Sequence, residues 1–137
     1  MDATFVDTGY ILALVNTADK YHLQARATAS VITPPFITTE AVLTEIGNAL
    51  SGLRWRRLAV DMLNDLRTDP NIQIITVDTV VFEQALNLFA ARLDKEWGLT
   101  DCISFVVMQA HNLNQVLTTD RHFEQAGFVN RLVKADG

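Results

Sequence analysis

A parallel five-stranded α/β sheet with helices on both faces is predicted by three observations. Five short runs suit strands: Thr4–Val6, Phe36–Thr38, Ile72–Val77, Val116–Thr119 and, more weakly, Val129–Val133. Segments with helical spacing lie between them, which is the alternation that builds a parallel sheet. The runs are short and apolar, as expected of strands covered on both faces. No repeat, low-complexity tract or linker interrupts the chain, so residues 1–137 read as one domain.

Taken in order, the first run passes directly into Asp7-Thr8-Gly9, a turn-forming triplet. His22–Ile32 carries Leu23, Ala27 and Val31 at i, i+4 and i+8, a helix stripe, and Pro34-Pro35 stops it. Thr39 is a natural N-cap for Glu40–Leu50, whose Val42, Leu43, Ile46, Ala49 and Leu50 share a face. Gly52 separates this helix from Arg54–Leu66, where Leu58, Met62 and Leu66 recur every fourth residue. Thr79–Leu93 reads as helix through Val81, Ala85, Leu88 and Phe89. Thr100 is placed to cap Asp101–His111, with Ile103, Val106, Val107 and Ala110 pointing inward. A short helix over Asp120–Gln125 follows the fourth strand.

Apolar residues make up 49% of the chain, which predicts a packed globule rather than a disordered one. No apolar stretch approaches the ~20 residues of a spanning helix, so no membrane role is expected. The start Met1-Asp2-Ala3 shows no basic leader, and the single Cys102 forms no internal disulfide; both point to the cytoplasm. The net charge of −5 lacks the basic footprint of a nucleic-acid binder. That is weak evidence against phosphodiester chemistry, because a bound cation can carry the positive charge. The densest basic stretch, Arg54-Trp55-Arg56-Arg57 with Arg67 beyond it, reads more simply as a helix's polar face than as an RNA groove.

Four carboxylates are the candidate site: Asp7, Glu45, Asp101 and Asp120. Asp7 and Asp120 each close a strand-like run, where open α/β sheets place their ligands. Each acid has a plainer explanation. Asp7 suits a turn, and Asp101 and Asp120 suit helix starts, where the dipole favours an acid. Glu45 sits one residue off an apolar stripe with no basic residue at i±3 or i±4, so a helical ion pair does not account for it. Together the four suggest a shared site holding a hard divalent cation, which offsets their mutual repulsion. His22, His111 and His122 show no i, i+4 metal spacing and are left outside the site.

Four stretches carry a family resemblance: Phe5-Val6-Asp7-Thr8-Gly9-Tyr10-Ile11-Leu12-Ala13, Thr44-Glu45-Ile46-Gly47-Asn48-Ala49-Leu50, Leu99-Thr100-Asp101-Cys102-Ile103-Ser104-Phe105 and Leu117-Thr118-Thr119-Asp120-Arg121-His122-Phe123, with Ala126-Gly127-Phe128 after the last. In this order the chain resembles the PIN-domain family, and within it the VapC-type toxin ribonucleases. The resemblance implies magnesium or manganese held by Asp7, Asp101 and Asp120, with Glu45 positioning or activating water. It further implies cleavage of single-stranded RNA, a homodimer, and a small antitoxin protein as partner. Gly98 stands where the related pattern often has Ser, and Asp120 is the most variable acid of the set.

Other classes fit less well. A phosphatase using Asp7 as nucleophile wants a second Asp where Gly9 stands, and a receiver domain wants early acids where Ala3 stands. A PIN-like module that binds RNA or protein without cutting is the remaining alternative. The presence of all four acids argues against it.

Overall fold

A computed structural model describes residues 2–135. Five parallel strands lie in the order β3-β2-β1-β4-β5: β1 Thr4–Val6, β2 Phe36–Thr39, β3 Ile72–Ile75, β4 Gln115–Leu117 and β5 Val129–Asn130. The chain builds outward from β1 through β2 to β3, then crosses to the other side for β4 and β5. The order therefore reverses between β1 and β4, and the crevice beyond their carboxyl ends is where such sheets bind ligands.

All three residues of β1 are buried. Successive strand side chains alternate faces, so Phe5 meets Phe123 on one face while Val6 joins Tyr10, Val42 and Ile46 on the other. Both faces are covered, as the apolar character of the runs predicts. The sheet is predicted correctly, but three of its strands are shorter than expected: Ile72–Val77, Val116–Thr119 and Val129–Val133 all stop early. Beyond Leu117 the backbone leaves the ladder, because the Asn130 side chain rather than a strand partner pairs with both Thr118 N–H and Thr118 C=O.

Seven helices connect the strands: α1 Thr8–Val15, α2 His22–Ala29, α3 Glu40–Ala49, α4 Leu53–Thr68, α5 Thr79–Ala91, α6 Leu99–Ala110 and α7 His122–Gln125. Sequence reading misses α1, since TGYILALV is apolar nearly all round and shows no 3.6-residue contrast. Thr39 caps α3 as expected, its Oγ1 accepting from Val42 N–H. Gly98, not Thr100, is the N-cap of α6; Asp101 sits at the third helical position and its Oδ2 accepts the Gly98 N–H at 3.0 Å. The last helix begins at His122, leaving Asp120 in the preceding turn.

Several predicted inward positions face outward. Leu23 and Val31 are 77% and 69% exposed, and α2 instead buries Ala25 and Thr28. Ala27, Ala49, Leu58, Phe89 and Ala110 are exposed as well. The spacing was right for helices, but periodicity cannot tell which neighbour covers a stripe. Among the described residues, no helix is long and apolar enough to cross a membrane.

Candidate metal centre

The carboxyl ends of β1 and β4 are joined by a main-chain bond from Asp7 N–H to Leu117 C=O. Asp7 is the N-cap of α1 by position, yet its carboxylate makes no capping bond to that helix. It points instead at β4, where the buried Thr118 hydroxyl donates to Asp7 Oδ2 at 2.8 Å. The same hydroxyl oxygen accepts the Asp120 N–H at 3.0 Å, so one threonine places both acids. The turn explanation of Asp7 therefore does not account for its side chain.

Glu45 is half-buried on α3, as its place at the edge of the stripe predicts. Thr8 Oγ1 donates to Glu45 Oε1 at 2.6 Å, tying the first turn of α1 to α3. Gly9 faces the residues just past β4: a Cβ there would collide with Thr119 Oγ1, so the first turn of α1 lies this close to Thr119 because position 9 has no side chain. Asp7, Glu45, Asp101 and Asp120 all line one cleft of about 530 Å³, together with Thr8, Gly9 and Asn48. All four sequence-predicted residues are thus brought to one place.

A fifth residue stands with them. His122 Nδ1 lies 3.0 Å from Asp101 Oδ2 and 3.1 Å from Asp120 Oδ2, and His122 N–H donates to Asp120 Oδ1 at 2.9 Å. The side-chain donor atoms of Asp101, Asp120 and His122 all fall within 4.8 Å of one another. The i, i+4 criterion marks residues sharing one helix and so passes over His122: Asp101 lies on α6, Asp120 in the turn before α7, and His122 at the first position of α7. The available signal was the Asp-x-His spacing of Asp120 and His122 at the end of a strand.

The electrostatics are one-sided. Among the described residues, no Lys or Arg pairs with any of the four acids; the ion pairs are Arg57–Asp61, Arg92–Asp94 and the two contacts of His122. Burial pushes the Asp7 carboxyl up to about 7, and the charges of Asp101 and Glu45 add to the rise, while hydrogen bonds from Thr118 and the Thr8 backbone oppose it. A buried acid held close to other acids is a donor set suited to a cation that prefers carboxylate oxygen. Cys102, next to Asp101, is fully buried, and that burial raises its thiol pKa; it packs as a small hydrophobe.

The surroundings hold this cleft firmly. Trp97, Phe105, Phe123 and Phe128 form an aromatic cluster beneath α6 and α7, and Trp97 Nε1 donates to Gln125 Oε1 at 3.0 Å. The basic stretch on α4 is occupied locally. Arg54 stacks over Trp55, Arg56 donates to Ser51 C=O and Arg57 pairs with Asp61, in keeping with a polar helix face.

Comparison with known proteins bears on the family and the fold. The 23S rRNA-specific endonuclease VapC20 of Mycobacterium tuberculosis (strain H37Rv) is 30% identical over 126 residues, 91% of this chain and 95% of that protein. The crystal structure of M. tuberculosis VapC20, described as a sarcin–ricin loop cleaving toxin, superposes with a TM-score of 0.86 at 28% identity, covering 92% of this chain and 96% of that one. VapBC-1 from nontypeable Haemophilus influenzae shares the fold at a TM-score of 0.64 and 11% identity, over 93% of this chain and 96% of that chain. The family model for the PIN domain matches residues 4–129, and the chain belongs to the PIN-domain family.

Proposed function

We propose that this protein is a metal-dependent endoribonuclease that hydrolyses single-stranded RNA, and that it is the toxin of a toxin–antitoxin pair. The observation that carries the reading is the convergence of Asp7, Glu45, Asp101 and Asp120 on one cleft in which, among the described residues, no Lys or Arg pairs with them. VapC20 is named as an endonuclease acting on ribosomal RNA, which supports RNA as the substrate. Asp7, Asp101 and Asp120 would hold magnesium, or manganese, whose preference for carboxylate oxygen matches this set. When bound, the cation lowers the pKa of water and neutralises charge developing on the phosphoryl group.

The chain's own groups then have distinct tasks. Thr118 fixes Asp7 in one orientation, and its oxygen fixes the Asp120 backbone. The Thr8 hydroxyl engages Glu45 Oε1, leaving Oε2 to hold and orient the attacking water. His122 keeps Asp101 and Asp120 together through the hydrogen on Nδ1. No covalent protein intermediate is required.

The antitoxin has a credible seat. Between α1, α2, α3 and α4 lies an apolar cavity of about 230 Å³ lined by Leu14, Ala29, Ile32, Leu43 and Leu66. A short apolar antitoxin segment laid there, carrying an Arg that reaches the acids, would block cation and RNA together. A homodimer would use the exposed apolar face of α5, where Phe82, Leu86 and Phe89 are 43–46% exposed.

Purified protein incubated with a mixed RNA pool tests the reading. Cleavage should require Mg²⁺ or Mn²⁺, stop with EDTA, and fall at least a thousandfold in Asp7→Asn, the scale of losing a principal catalytic group. Wild-type turnover by Asp7→Asn, or cleavage indifferent to EDTA, refutes it. Expression in a cell tests the toxin assignment separately, since growth arrest should depend on Asp7.

A further inference from the structure

The acidic cleft does not end at Asp120. Thr119 and Asp120 also form one wall of a second cleft, about 250 Å³, that continues past the carboxyl end of β4. Its other walls include Tyr21, Arg121 and Lys134. Among the described residues, Arg121 and Lys134 enter no ion pair, although Asp120 and Glu124 are close in sequence or line the same cleft. These two cations, in no ion pair among the described residues, contrast with Arg54, Arg56 and Arg57 of α4, which are engaged with their own helix or the turn before it.

Glu124 is the second carboxylate of this cleft beside Asp120, and the neutral amide side chains are engaged with the backbone. Asn130 spends its side chain on the Thr118 and Leu132 backbone, and Gln24 donates to Val133 C=O. Tyr21 is partly buried against the core, its N–H anchored to Asp19 Oδ1 at 2.8 Å, with Lys20 Nζ 5.0 Å from the ring centre. The result is a half-buried aromatic ring with Lys20 over it and, among the described residues, two cations in no ion pair, in a cleft of about 250 Å³. That is the combination that binds single-stranded nucleic acid, the ring stacking on a base and the cations taking the backbone.

We propose that this second cleft is the subsite for the nucleotide adjoining the scissile phosphodiester, with Arg121 and Lys134 on its phosphate and Tyr21 against its base. The assignment rests on the ribonuclease reading and gives the RNA a direction of travel. The strand leaves the acids past Asp120 toward Tyr21, not toward α4.

Binding of a fluorescent single-stranded RNA octamer to the full chain carrying Asp7→Asn, with Mg²⁺ present, tests this at several salt concentrations. Arg121→Gln with Lys134→Gln should weaken binding roughly tenfold and make the slope of log K against log salt shallower by about 1. Tyr21→Leu should weaken it about tenfold with the salt slope unchanged, while Tyr21→Phe binds as its parent does. Arg54→Gln with Arg56→Gln is the contrast and should change neither quantity. If the Arg121/Lys134 pair binds with parental affinity and slope, or the Arg54/Arg56 pair loses as much, the subsite is wrong and the ribonuclease reading stands. If neither this parent nor the wild-type chain with Ca²⁺ in place of Mg²⁺ binds RNA at any salt concentration, both fall.

Discussion

On the β4 side of β1, the Phe105 ring packs against Trp97, Phe123 and Phe128 with centroids 4.9–5.6 Å apart, and α6 buries six residues between Cys102 and Met108. On the β2 side, the sixteen-residue α4 fully buries only Ala59, and the helices enclose an apolar cavity of about 230 Å³. Asp101 and Asp120 hang from the tightly packed flank, and Asp7 stands at the strand between the two. Interlocked aromatic packing holds carboxylates at fixed separations, which a metal centre needs before any ion arrives. The looser flank carries the unfilled apolar surface suited to a partner. On the proposed reading one sheet serves two tasks, dividing them at β1.

The largest effect should come from breaking the tight flank. Phe105→Ala removes the ring at the centre of the aromatic cluster and should cost about 3–5 kcal/mol, read as a lower denaturation midpoint. Leu66→Ala, at the edge of the cavity, should cost clearly less, roughly 1–2 kcal/mol, because its surroundings are already open. Equal losses would erase the contrast between the flanks.

Next comes Asp7, where stability should depend on pH. Its carboxyl titrates near 7 in the fold against 3.8 for the free side chain, so between those values the folded chain holds more protons than the unfolded one. The sign follows: in metal-free protein the penalty is absent below about pH 4, grows as pH rises, and is complete above about pH 7. Its ceiling is on the order of 4 kcal/mol. Asp7→Asn should remove this slope and be the more stable protein at pH 8, even as it loses activity. Saturating Mg²⁺ should flatten the wild-type slope as well. A wild-type midpoint that stays level or rises from pH 5 to 8 without metal refutes the assignment.

The smallest of these effects concerns the seam where α1 meets β4. Gly9→Ala should destabilise by roughly 1–3 kcal/mol, the range for a steric insertion into a packed site, and reduce cleavage by moving Thr8 and Glu45. Thr119→Ala should recover much of that loss, since the atom struck is the Thr119 hydroxyl. A double variant no better than Gly9→Ala would place the constraint in backbone freedom instead.

The sheet, most helices and all four acids were legible in the chain because their signals are local. Strand runs bounded by turn residues, the Thr39 cap and the acids at the ends of the first and fourth strand runs are written within a few residues of one another. The outward turn of Leu23, Val31 and Phe89 was not legible, because a 3.6-residue period marks a face without naming what lies opposite. Helix α1 escaped for the converse reason, being apolar on nearly every side. Only the tertiary structure decided that Thr118 serves two acids at once and that His122 reaches both Asp120 and, 21 residues away in sequence, Asp101. It also separated Arg121 and Lys134, in no ion pair among the described residues, from Arg54, Arg56 and Arg57 of α4, which have local partners. Composition counts those charges alike; distance to a partner distinguishes them, and distance is settled only when the strands have paired.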